Sequence, residues 1–255
     1  MKSRDDGEFF AGQQKREAEK ENLNRDIRDL QLLSSTISHE IKAPVRAIDG
    51  YARIFMEDYC DKTDEEGLLL ISNIRGICKE TLSMIDKLLE YARLSGVEPV
   101  KETVNLQKMI RDVFTQLAAG YKSKNRPVLK FQEEIPFVLC DGTFLRQVMM
   151  NIISNALKFS ADGKETVITA GFHQENGEDV FYIRDNGVGF DMEYSQSLFG
   201  MFQRMHTSDE FEGSGLGLSI VKKLIQAMGG RVWITGEVGK GACVYFTLPP
   251  ANILK

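Results

Sequence analysis

The stretch "ISHEIKAPVR" (37–46) sets a histidine and a glutamate side by side and places a proline five residues after the histidine. A carboxylate that holds one imidazole nitrogen leaves the other with a free lone pair, which makes a nucleophile near neutral pH. His39 and Glu40 have the residue types and adjacency for that chemistry. Leu23, Ile27, Leu30, Ser34, Ile37 and Ile41 follow a 4-3-4-3-4 spacing, the seam of a coiled coil or helical bundle with one polar interruption. Counted from Ile37, His39 falls about 200° round the helix at ~100° per residue, so it points outward rather than into a core. Pro44 has no N–H, leaves the Glu40 carbonyl without its helical partner, and predicts a bend beside the pair.

Three further groups suit a nucleotide. In "NIISNALKF", Asn151, Asn155 and Lys158 stand at i, i+4 and i+7 and share one helix face, with Val148, Ile152 and Ile153 on the other. Amide oxygens suit a hard Mg²⁺ ion and a lysine suits phosphate. "RDNGVGF" ends a strand with Asp185, which can accept from an exocyclic amine. Gly187 and Gly189 there let backbone approach a flat ring. "GSGLGLSIV" brings Gly213, Gly215 and Gly217 directly before a helix, where free N–H groups and the helix dipole favour phosphate. Singly, these read as a solvated helix face, a hairpin turn and a glycine-rich loop. Their order behind a histidine–glutamate helix carries far more weight than any one of them.

The elements that must position these residues follow from the pattern. The first third is helical by period. A second helix is predicted from about Asp64 to Leu94, with Ile71, Ile74, Cys78, Thr81, Ile85, Leu88 and Ala92 on its buried stripe, a cap at Thr63 or Asp64, and "MEDYCDKTDEE" as the preceding turn. Two such helices leave apolar stripes uncovered, so dimerisation into a four-helix bundle is expected, with a monomeric hairpin packed on the rest of the chain as the alternative. Gly96 and Pro99 end the helical period. Beyond them come a helix in "LQKMIRDVFTQLAA", a strand in "PVLKFQ", a helix over 142–159 and strands in "TVITAGF" and "DVFYIRD". A helix in "GLGLSIVKKLIQAMGG" and strands in "RVWITGE" and "ACVYFTLP" complete the chain. Strands and helices that do not alternate strictly predict an α+β fold, a helical hairpin followed by a sandwich. The expected divisions are a helical linker at 1–32, a helical dimerisation domain at 33–98 and a domain carrying the nucleotide-suited motifs at 99–255.

Composition narrows the classes. The chain has 255 residues, 42% of them hydrophobic, and a net charge of −5, without the basic footprint of a nucleic-acid binder. No apolar run of membrane-spanning length occurs, and a cytoplasmic location is expected. Cys60, Cys78, Cys140 and Cys243 lie far apart with no Cys-x-x-Cys pair and read as reduced thiols. His173 and His206 have no such setting and read as surface residues.

Taken together, the motifs resemble the sensor histidine kinases of two-component signalling, over about residues 30 to 250. "SHEIKAP" is similar to the family's phosphoacceptor box, "NIISNALKF" to its N box, "DNGVG" to its first glycine box, "LFGMFQRM" to its lid segment and "GSGLGL" to its second glycine box. "FQRMHTSDEFEGSGLGLSIVKKL" is similar to kinases attached to phytochrome-like and PAS-type sensors. The resemblance implies a homodimeric helical bundle followed by a Bergerat-type ATP-binding sandwich. It implies His39 as phosphoacceptor, Glu40 as base, Asn155 as Mg²⁺ ligand, Asp185 as adenine reader, and Asn151 and Lys158 near the phosphates. Gly187, Gly189, Gly213, Gly215, Leu216 and Gly217 would shape the pocket and lid, with Phe199 and Phe202 as lid anchors. ATP and Mg²⁺ are the implied cofactors and a response regulator receiver domain is the implied partner. A sensor domain is expected upstream or in trans. One departure is Ala43, where the family usually has threonine or asparagine, and it predicts weak phosphatase activity toward the regulator. A non-catalytic docking scaffold and an ATPase of the gyrase or chaperone kind are the competing readings; the outward histidine distinguishes the kinase from the latter.

Overall fold

The computed structural model describes residues 40–94, 97–121, 126–160, 164–203 and 214–249. Two compact units result, Met1–Val97 and Glu98–Lys255. His39, His206, Gly213 and the seam before Ile41 lie outside the described residues.

Within the first unit, helix α1 over 40–59 runs unbroken through Pro44. The proline removes one bond of the ladder and the helix absorbs that loss without ending. The expected turn also begins later than "MED". Helix continues through Tyr59, helped by stacking of Phe55 on Tyr59 one turn apart, with ring centroids 5.7 Å apart. A short 3₁₀ turn, Cys60–Lys62, leads into α2, Glu65–Arg93. Asp64 caps it by accepting from the Gly67 N–H at 2.8 Å. Ala52, Cys78 and Ile85 are buried between the helices. Lys42 pairs with Asp86, and Arg75 Nε donates to Asp49 Oδ1 at 3.1 Å. Much of the apolar surface stays open: Leu70 is 58% exposed, Ile74 39% and Ile77 64%, on one face of α2. Of the expected stripe, only Cys78 and Ile85 are buried.

The second unit is a sandwich of three helices on a five-stranded sheet. In chain order its elements are β1 (Glu102–Asn105), α3 (Leu106–Ala118), β2 (Val128–Phe131), β3 (Phe137–Cys140) and α4 (Gly142–Lys158). There follow β4 (Val167–Glu175), β5 (Glu178–Asp185), α5 (Gly217–Ala227), β6 (Val232–Glu237) and β7 (Gly241–Thr247). The main sheet has the order β2-β4-β5-β7-β6, with β2 parallel to β4 and the other pairs antiparallel. β1 and β3 form a separate antiparallel pair. Leu145, Val148 and Met149 of α4, Ile220 and Leu224 of α5, and Ile168 and Phe246 of the sheet are sealed from solvent in the layer between. Each long helix here starts on a side-chain cap or a glycine-rich turn. Asn105 accepts from Lys108 N at 2.8 Å and Asp141 from Phe144 N at 2.9 Å. Among the described residues no helix is long and apolar enough to cross a membrane.

Candidate functional site

α4 carries the amides. Its apolar face is fixed in the core by Val148, Ile152 and Ile153, which turns Asn151, Asn155 and Lys158 to the opposite side. Asn151 Nδ2 donates to the Gln147 carbonyl at 2.9 Å, so its oxygen is turned outward. That oxygen faces Gly217, the first residue of α5. A Cβ placed on Gly217 would stand 3.3 Å from Asn151 Oδ1 and 3.6 Å from Asn155 Nδ2. The glycine therefore brings backbone N–H groups at a helix start next to two amides, the combination that accommodates an anion with its counter-ion. Lys158 Nζ lies 4.0 Å from the centroid of the ring of Phe159, the next residue. Leu216, by contrast, is fully buried, so its side chain can serve only as an anchor for the segment that precedes α5.

β5 delivers Asp185 at its end. Its Oδ1 accepts from Gly187 N at 2.9 Å and from Ala242 N at 3.2 Å. Burial pushes the carboxyl above its ordinary value, and the two N–H groups work against that without cancelling it. Both bonds fall on Oδ1, which leaves Oδ2 to meet a ligand. The turn that follows is closely packed. A Cβ on Gly187 would run into the Phe159 carbonyl, and Gly189, at φ +65, would run into the Glu237 carbonyl. The Val188 N–H donates to Phe159 O at 2.9 Å, which ties this turn to the end of α4 and so to the amide face.

The lid residues are placed only in part. Phe199 ends the 3₁₀ turn Ser197–Phe199, and Phe202 has φ +60 and is 53% exposed. Gly215, at φ +68, backs directly onto the Phe202 and Gln203 backbone. Glu40 opens the described part of α1, exposed. The structure thus assembles Asn151 and Asn155 with Gly217, and Asp185 with Gly187. It sets Gly189 against the β6–β7 hairpin and Gly215 against Phe202.

Two participants escaped the sequence reading. Gly241, at φ +96, leaves no room for a side chain against the Asp185 carbonyl, and Ala242 donates to the carboxylate. The available signal was "GKG" at 239–241, a hairpin turn far down the chain with nothing to connect it to Asp185 before the strands are paired. A cavity of about 360 Å³ also adjoins Asp185, lined by Arg184, Thr235, Lys240 and Tyr245 among others. Side chains alternate along a strand, so Arg184 and Tyr245 lie on the sheet face away from the helices, and the amides do not line this cavity.

Comparison with known proteins agrees with this architecture. Residues 29–96 match the His Kinase A (phospho-acceptor) domain, and residues 140–252 match the histidine kinase-, DNA gyrase B- and HSP90-like ATPase family. The chain belongs to the sensor histidine kinases. Among curated relatives, the phytochrome-like protein Cph1 of Synechocystis is 29% identical over 91% of this chain and 30% of its own length. Cyanobacterial phytochrome B of Nostoc is 27% identical over 89% of this chain and 30% of its own. The chain therefore spans about 30% of the length of these relatives. A solved structure titled full-length ShkA in complex with AMPPNP superposes with a TM-score of 0.61 at 27% identity, over 85% of this chain and 45% of that one. Acinetobacter baumannii AdeS, at 19% identity and a TM-score of 0.53, shares the fold over 82% of this chain and 96% of its own.

Proposed function

We propose that this chain is the kinase core of a two-component sensor, which phosphorylates His39 from MgATP and passes the phosphoryl group to an aspartate of a response regulator's receiver domain. The observation that carries the reading is the pairing of a half-buried carboxylate on a glycine turn, Asp185, with an amide-lined helix start at Gly217. The first suits a purine amine and the second suits phosphates. The lone-pair nitrogen of the His39 imidazole attacks the γ-phosphorus, the bond to the ADP oxygen breaks, and Glu40 takes the proton from the other ring nitrogen. Such a transfer has little covalent chemistry for the protein to do beyond positioning and charge neutralisation. Asn151 and Lys158 stand near the phosphates in this reading. Phe199, Phe202, Gly213, Gly215 and Leu216 form or anchor the lid, and Gly187 and Gly189 shape the adenine end.

Asn155 is the residue that would hold Mg²⁺. Its amide oxygen is a hard donor beside the Gly217 cradle, and the ion would neutralise phosphate charge there. Among the described residues no cluster of three acidic, histidine or cysteine side chains could hold a metal alone, which fits an ion whose remaining ligands are phosphate and water. Residues 33–98 serve as the dimerisation and phosphotransfer domain, 99–255 as the catalytic domain and 1–32 as a helical signalling linker.

The test is incubation of the purified chain with γ-labelled ATP and Mg²⁺ beside His39→Gln and Asn155→Ala. Acid-labile, base-stable label is expected on the parent and on neither variant. Nucleotide binding without label on the parent would favour the docking scaffold. Ala43 supplies a second expectation, that the chain fills its regulator with phosphate and drains it poorly. Ala43→Thr should accelerate decay of the phosphorylated regulator; an unchanged decay rate would remove the idea.

A further inference from the structure

Three hydroxyls meet where α3, α4 and β4 converge. Tyr121 follows the end of α3, and its Oη lies 2.6 Å from Ser160 Oγ and 2.8 Å from Thr166 Oγ1. Ser160 Oγ donates to the Leu157 carbonyl at 3.0 Å, which uses its only proton. Tyr121 must then donate to Ser160, and Thr166 to Tyr121, so one directed chain runs from the sheet to the helix. Thr166 is buried and its carbonyl accepts from Val128 N at 2.8 Å, which anchors it to β2 as well.

Both ends of this chain lead to the turn after Asp185. From Thr166, the next residue's N–H, that of Val167, donates to Asn186 Oδ1 at 2.8 Å, and Asn186 Nδ2 donates to Glu165 O at 2.8 Å. From Ser160, the preceding Phe159 carbonyl accepts from Val188 N at 2.9 Å. Asn186 and Val188 flank Gly187, whose N–H holds the Asp185 carboxylate. The end of α4 and the start of β4 thus grip the turn from two sides, and the Tyr121 hydroxyl clamps those two sides together.

We propose that Tyr121 is a positioning residue for ATP, setting the aim of Asp185 through the clamp between Ser160 and Thr166. The proposal rests on the reading of Asp185 as the nucleotide-facing group. Without the hydroxyl, Thr166 keeps its sheet bond and Ser160 its helix bond, but the two sides of the turn are free to part. The cost falls on nucleotide binding, while the phosphoryl-transfer groups on the amide face stay where they are.

The test is Tyr121→Phe in the full chain, with the ATP dependence of autophosphorylation and calorimetric titration with ATP as readouts. The KM for ATP is expected to rise roughly three- to tenfold, with the maximal rate within about twofold of the parent. Ser160→Ala should act in the same direction, and the double variant should be no worse than the poorer single one. Tyr182→Phe is the control, because it loses an equally short bond, 2.5 Å to Gln132 Oε1, on the other face of the sheet. An unchanged KM in Tyr121→Phe, or a change matched by Tyr182→Phe, would overturn the proposal even if melting temperature falls. Asp185→Asn separates the two levels. If it loses ATP affinity while Tyr121→Phe and Tyr182→Phe behave alike, only the role of Tyr121 falls; if it binds ATP like the parent, the site reading falls and this proposal with it.

Discussion

At Asp185, burial and two backbone amides pull in opposite directions, and burial prevails: the carboxyl titrates above its usual range. The folded protein then holds this proton to higher pH than the unfolded chain does. The group's contribution to stability is therefore fully present below the unfolded value and is lost as pH rises through the folded one. Asp185→Asn should gain stability relative to the parent as pH is raised from ~4 to ~7, as read by thermal unfolding. It should also weaken ATP binding by about tenfold or more, because the amide cannot offer a purine amine the same charged acceptor. In the parent, ATP affinity should fall on acidification at a higher pH than an ordinary aspartate would dictate. A flat pH dependence of binding would contradict that. Asp185, Gly187 and the Asn151–Asn155 pair were legible in the sequence because their chemistry lies within one turn or one helix face. Tyr121 was not, since a lone tyrosine after a helix carries no sign of the two hydroxyls it will meet.

Helices α1 and α2 raise a different problem. Their shared interior is small, Ala52, Cys78 and Ile85, and one whole face of α2 is apolar and open. Leu70, Ile74 and Ile77 repeat at the 4-3 spacing of a bundle seam, which accords with the expected homodimer. Burying two such side chains is worth about 1.5–3 kcal/mol each, and a two-fold axis counts every one twice. Leu70→Lys combined with Ile77→Lys should turn the dimer into monomer at micromolar concentration by light scattering, while ATP binding to the second unit persists. A dimer that survives both changes would place the interface elsewhere. The long helices and the main-sheet strands were legible from their periods, to within a few residues at the ends. β1 was not, because a four-residue strand with one buried position has no alternation to detect. The end of α1 was misplaced because acidic "MED" looks like turn, whereas Phe55 and Tyr59 hold the helix for a further turn.

Across the whole chain, the order of motifs was enough to specify two kinds of architecture, a helical pair and a sandwich, and both are present. What the order could not convey is which strands become neighbours. β5 pairs with the preceding strand β4 and, skipping β6, with β7, so that Arg184 stands opposite Cys243 and Ala242 reaches Asp185. That register has a consequence during synthesis. Every motif that resembles a nucleotide site precedes β7 in the chain, yet Asp185 lacks one of its two backbone donors, and its turn lacks the Gly241 wall, until that strand docks. A nascent chain carrying all the signature residues is therefore still unable to complete the turn around Asp185. The helical pair, built from contacts between sequence neighbours, can fold well before it. The contacts that hold the Asp185 carboxylate are complete only once β7 has paired with β5.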